Sequence, residues 1–121
     1  MWGIDVLLDT LVGRDGELTV VTDKRDLVVL DARNWWFFSR RIEFLGSAKL
    51  VRIDGKPTCR FSEIKSIDLT SISDQNWSAW AISLNTGTFS SVEVGWRENE
   101  TDASITAASL STVTGASVRA L

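Results

Sequence analysis

At 121 residues the chain is one ordinary domain, and 44% hydrophobic residues with a single proline exclude intrinsic disorder. There is no histidine, no tyrosine, and only one cysteine, Cys59. That excludes a disulfide within the chain, any histidine-ligated metal site, and every histidine-based catalytic dyad or triad.

Net charge is −3, but it is unevenly spread: residues 1–23 carry −4, residues 24–60 carry +5, and residues 61–121 carry −4. A basic middle third can steer an anionic partner, whereas the acidic balance of the whole argues against a nucleic-acid binder. The start, Met1-Trp2-Gly3-Ile4-Asp5, lacks the basic opening of a secretory signal, and no stretch reaches the apolar length of a membrane span. A cytoplasmic location with a reduced thiol is expected.

No repeat, linker or low-complexity block divides the chain, so 1–121 reads as a single domain. It comprises an N-terminal helical segment (1–16), a β-sheet or barrel (17–97) and a C-terminal helix (99–115). Ile4, Leu7, Leu8, Leu11 and Val12 share one helical stripe, and Gly13 is a natural stop. Past Gly16 the pattern turns β-branched: Glu17–Thr22 and Leu27–Leu30 flank the charged turn Asp23-Lys24-Arg25-Asp26 and predict a hairpin.

Next comes Arg33-Asn34-Trp35-Trp36-Phe37-Phe38-Ser39-Arg40-Arg41-Ile42-Glu43-Phe44. In a strand, Trp35 and Phe37 face one way and Trp36 and Phe38 the other. Gly46 is expected to end or bulge this element. Lys49–Ile53 and Thr58–Phe61 flank Asp54-Gly55, a favoured pair for a tight hairpin, and Pro57 belongs at a strand start or an outer edge.

Phe61–Leu69 opens another strand, with Ile67 and Leu69 in alternation. Ser78–Leu84 places Trp80, Ile82 and Leu84 on one face, Asn85-Thr86-Gly87-Thr88 reads as a loop, and Phe89–Trp96 returns. Asn99 or Thr101 caps a last helix that stops at Gly115, with Ala103, Ala107, Leu110 and Thr114 on a narrow stripe whose small residues would let it lie close against a sheet. The expected fold is mainly β (α+β): a curved antiparallel sheet or partly open β-barrel of about seven strands, covered by the C-terminal helix.

This order resembles the bacterial pleckstrin-homology-like (PH-like) fold. Phe61-Ser62-Glu63-Ile64-Lys65-Ser66-Ile67 matches its apolar-polar-acidic-Ile-x-x-Ile motif. Trp80–Leu84 and Phe89–Trp96 stand for its two long strands, and Thr101–Gly115 for its helix. The resemblance covers roughly residues 17–118 and implies a binding or scaffold domain without enzymatic activity. Lipid-binding members carry a basic motif on the first two strands and their loop. Here Lys24 and Arg25 stand in that turn, but Arg33 is much further on and Asp23 and Asp26 flank the pair, a departure from the motif.

The aromatic run beside Arg33, Arg40 and Arg41 is the strongest local feature. Four large aromatics left in water would make an aggregation-prone patch, so a core or subunit interface is preferred to ligand contact. Because the run supplies both faces, a homo-oligomer or protein partner is expected. Trp77 stands in the polar stretch Ser73–Asn76 as a candidate anchor, and Trp2 as a candidate plug for a groove.

The candidate binding surface is Arg33, Trp35, Arg40, Arg41 and Trp77, and no catalytic residue, metal or cofactor is assigned. Cys59 lacks the histidine that usually activates a thiol, and the pairs Glu63 with Asp68 and Glu98 with Asp102 carry no acid–base signature. The alternative is a peripheral module for an anionic lipid or ligand, using Lys24, Arg25, Arg40 and Arg41 at a membrane surface.

Overall fold

The computed structural model describes residues 16–33, 39–73, 75 and 77–121. Trp2, the expected N-terminal helix and the Trp35–Phe38 run lie outside these residues. The described elements are β1 (Glu17–Lys24), β2 (Leu27–Arg33), β3 (Ser39–Leu45), β4 (Leu50–Ile53), β5 (Lys56–Arg60) and a 3-10 turn (Phe61–Glu63). They continue with β6 (Ser66–Ser73), β7 (Ser78–Gly87), β8 (Ser90–Arg97), α1 (Glu100–Thr114) and β9 (Val118–Ala120). The fold is mainly β with one C-terminal helix, as the alternation predicts.

The nine strands form one sheet in the order β5-β4-β3-β2-β1-β8-β7-β6-β9. Two antiparallel meanders, β1–β5 and β6–β8, meet where β1 lies parallel to β8. Glu17 registers with Trp96 at that seam, and the Trp96 N–H donates to the Gly16 carbonyl at 3.0 Å. The sheet is not closed, and β5 and β9 are its edges.

Period-2 alternation builds the core. Leu30, Ile42, Phe44 and Val51 of the first meander and Ile67, Ile82, Leu84 and Val94 of the second are fully buried. Full burial of side chains of this size stabilises the fold by about 1.5–3 kcal/mol each. Helix α1 touches β2 and β3 of the first meander and β6, β7 and β8 of the second, so it bridges both. Ala103, Thr106, Ala107 and Leu110 form its buried stripe, and the small residues let it lie close to the sheet. The Asn99 Oδ1 accepts from the N–H groups of Thr101 and Asp102 at 2.8 and 3.2 Å, and Gly115 closes the helix at φ 82°.

Four expectations need correction. Among the described residues there are nine strands rather than about seven, and β9 follows a helix with no alternation to announce it. Phe61–Glu63 is a 3-10 turn rather than the opening of a strand, because the Glu63 carboxylate folds back to accept the Arg60 N–H at 2.8 Å. The β7–β8 loop is tighter than Asn85–Thr88: β7 runs on to Gly87, and the Asn85 Oδ1 accepts the Gly87 N–H at 2.9 Å. Trp80 is only half-buried, packed against the rim of the core beside fully buried Ile82 and Leu84.

Candidate functional site

Strand register decides which sequence candidates meet. Ser39 pairs with Arg33, Arg33 with Glu17, and Glu17 with Trp96, so one row crosses β3, β2, β1 and β8 at the same level. Trp77, just before β7, packs edge-on against Trp96 with ring centroids 5.4 Å apart and planes at 83°. Such a contact adds about 0.5–1.5 kcal/mol beyond burial alone. Both rings are half-buried, and Arg33 is exposed. Arg33, Trp96 and Trp77 therefore belong to one end of the sheet, and the β2–β3 connection leaves from that same end. Trp35 lies in this connection, outside the described residues.

Arg40 and Arg41 are adjacent in sequence but divide between the two faces of β3. Arg41 is exposed and forks onto Asp31 of β2, its Nε and Nη2 donating to Oδ1 and Oδ2 at 2.9 and 3.2 Å. The guanidinium holds the Asp31 carboxyl below its usual range, chiefly through these hydrogen bonds. Its backbone N–H donates to Asp54 Oδ1 at 2.8 Å. A second fork on the same sheet face joins Arg52 to Glu43 at 2.9 and 3.2 Å.

Arg40 alternates with buried Ile42 and Phe44 along β3 and lies on their face of the strand. Its Nη2 donates to the Glu93 carbonyl at 3.1 Å and to the Val94 carbonyl at 2.9 Å. Val94 is the extra residue of a β-bulge: Ile82 registers with Gly95 but Ser83 with Glu93. Arg40 thus ties β3 to β8 across the end of the core. Arg97 ties β8 to α1 in a similar way, donating to the Thr106 hydroxyl at 3.2 Å and lying 3.9 Å from the Asp102 carboxylate.

Lys24 and Arg25 stand at the β1–β2 turn, which is the opposite end. Lys24 pairs with Leu27, and Arg33 lies six residue steps beyond Leu27 along β2, about 20 Å of strand. The turn is anchored on the helix, where the Ser109 hydroxyl donates to Asp23 Oδ2 at 2.8 Å. The four residues of the anionic-ligand alternative therefore do not converge on one pocket.

Cys59 is buried, and burial, then Glu63, pushes its thiol up from the usual range, so the thiolate is disfavoured. Glu63 is spent on the Arg60 N–H, Asp68 on Arg119 and Asp102 on Arg97. Among the described residues, no three cysteine, aspartate or glutamate side chains gather as a metal site would require. Nor is any helix there long and apolar enough to cross a membrane.

Two features are not legible in the sequence. Alternation puts Trp96 in a strand but names no partner for it, because its neighbours Glu17 and Trp77 are assigned by register and packing. Alternation also puts Phe89 inside a returning strand, whereas it stands fully exposed on the β7–β8 turn. Comparison with protein-family models, curated proteins and solved structures found no match to the chain.

Proposed function

We propose that this chain is a small non-enzymatic binding or scaffold domain of PH-like architecture. It docks a protein, either another chain or a second copy of itself, through the aromatic and basic end of its sheet. The observation that carries this reading is the Trp77–Trp96 pair, half-buried at the level of exposed Arg33. Tryptophan and arginine are among the residues most enriched where interface energies concentrate. They combine large rigid contact area with a fixed charge. The anionic-ligand alternative loses ground because its basic residues are split between two ends and two faces.

Light scattering across a dilution series tests self-association, comparing the ordinary chain with Trp77→Ala and Arg33→Glu. The reading expects an assembly that Trp77→Ala weakens by at least tenfold, in line with a loss of about 2 kcal/mol at a central anchor. An assembly indifferent to both substitutions would remove this end from the argument.

A further inference from the structure

The two edges of the sheet are treated differently. Along β5 the edge is blunted: Pro57 has no N–H to offer, the Thr58 hydroxyl caps the Lys56 carbonyl at 3.2 Å, and a bulge interrupts its pairing with β4. Strand β9 has none of these devices. It is three residues long and exposed throughout, and it runs parallel to β6 with Val118 opposite Ile67, Arg119 opposite Asp68 and Ala120 opposite Leu69.

Beyond its parallel ladder with β6, β9 is held by contacts at its two ends and one in its middle. The Ile67 N–H donates to the Ser117 carbonyl at 2.8 Å, and the Leu121 N–H donates to the Leu69 carbonyl at 2.9 Å. The central attachment is a fork in which Arg119 Nε and Nη2 donate to Asp68 Oδ1 and Oδ2 at 3.1 and 2.9 Å. Asp68 is nearly buried, its side chain 9% exposed, and also accepts from the Ser66 hydroxyl at 2.7 Å. Lifting β9 away leaves that carboxylate short of its counter-charge on a half-bare edge, so the vacated site is selective for a strand that brings a guanidinium to the same register. The link from α1 is short: Gly115 in the left-handed conformation, then Ala116 and Ser117. Space is open where a Gly115 side chain would stand, and the link is fastened by the Ser111 hydroxyl on the Ala116 carbonyl at 2.6 Å.

From this geometry we infer that β9 is an exchangeable strand, and that the occupant fitted to the vacated β6 edge is β9 of a second copy of the chain. A second copy supplies the same Val118-Arg119-Ala120 sequence in the same register. Every hydrogen bond and ion pair that β9 gives up within its own chain therefore forms again between two chains, without new complementarity. The inference concerns a different edge from the docking end proposed above and does not rest on it. A short link sets an effective local concentration on the order of millimolar, so exchange emerges when chains are refolded together near that concentration.

The test has two parts. Equal amounts of ordinary and uniformly 15N-labelled chain are unfolded, refolded together at about millimolar concentration, and examined by native mass spectrometry after dilution. A dimer of mixed mass that disappears on deletion of residues 116–121 is expected. A chain that stays monomeric, or a dimer that survives the deletion, overturns the inference, and survival assigns that dimer to another surface. In the second part, Asp68→Arg and Arg119→Asp are each refolded alone and then together. Each variant alone opposes like charges at the β6–β9 contact, whereas the mixture restores opposite charges only between chains. A heterodimer confined to the mixture supports exchange, and folded variants that remain monomeric when mixed refute it.

Discussion

The Arg40 guanidinium lies 2.9 Å from the Val94 carbonyl, joining residues 54 positions apart in sequence. The bulge at Val94 interrupts the β7–β8 register, and Arg40, projecting from the core face of β3, donates to the carbonyls of both Glu93 and Val94 there. Replacing Arg40 with Met retains much of the apolar stem but strands these acceptors. Leaving a buried polar group unsatisfied costs about 1–3 kcal/mol, and equilibrium denaturation of Arg40→Met should show a loss in that range. An unchanged midpoint would mean water replaces the guanidinium freely.

Gly95 stands beside this contact for a steric reason. A Cβ at that position would lie 2.6 Å from Leu18 Cδ2 and 2.8 Å from the Gly16 carbonyl oxygen. Leu18 lies in β1 and Gly16 immediately precedes it, so Gly95→Ala pushes apart the β1–β8 seam that joins the meanders. Overpacking of this kind costs roughly 1–3 kcal/mol. Thermal unfolding of Gly95→Ala should register it, together with faster amide exchange at Trp96, whose N–H donates across the seam.

The Asp68–Arg119 fork gives stability a defined dependence on pH. Hydrogen bonds from Arg119 lower the Asp68 carboxyl below its ordinary value, burial opposes them, and Ser66 adds to the lowering. Because the folded-state value is depressed, the contribution is fully present above the unfolded carboxyl range near 4 and fades as pH falls through the lower folded value. Asp68→Asn should therefore be less stable than the ordinary chain at neutral pH, and the gap should close in strong acid. A gap constant from neutral pH down to about pH 2 would show that the fork contributes nothing through its charge.

Asn99 caps the helix that spans both meanders, accepting two backbone N–H groups at 2.8 and 3.2 Å. Asn99→Ala removes the acceptor and should lower stability by about 1 kcal/mol, whereas Asn99→Asp should preserve it. Chemical denaturation of the two variants side by side distinguishes loss of the cap from a change of charge.

The separation of Lys24 and Arg25 from Arg40 and Arg41 leads to an expectation about lipids. Retention on anionic vesicles should be weak, and Lys24→Ala with Arg25→Ala should change it little. Strong salt-sensitive binding abolished by that pair would restore the anionic-surface reading.

The sequence alone was enough for the mainly β class, the hairpin turn at Asp54-Gly55 and a last helix capped by Asn99 or Thr101 and stopped at a glycine, the structure choosing Asn99 as the cap. These features are governed by periodicity, capping and turn chemistry, which act over a few residues and are visible within them. It was equally enough for the buried alternation of Ile67 and Leu69 and for Ala103, Ala107 and Leu110 on the helix stripe. Only the tertiary structure decided that β1 lies beside β8, that Arg40 turns to the bulge at Val94 while Arg41 turns to Asp31, and that Arg119 finds Asp68. Each of those pairings depends on strand order and register across the fold, and an arginine carries no local mark of which acceptor the fold will bring to it.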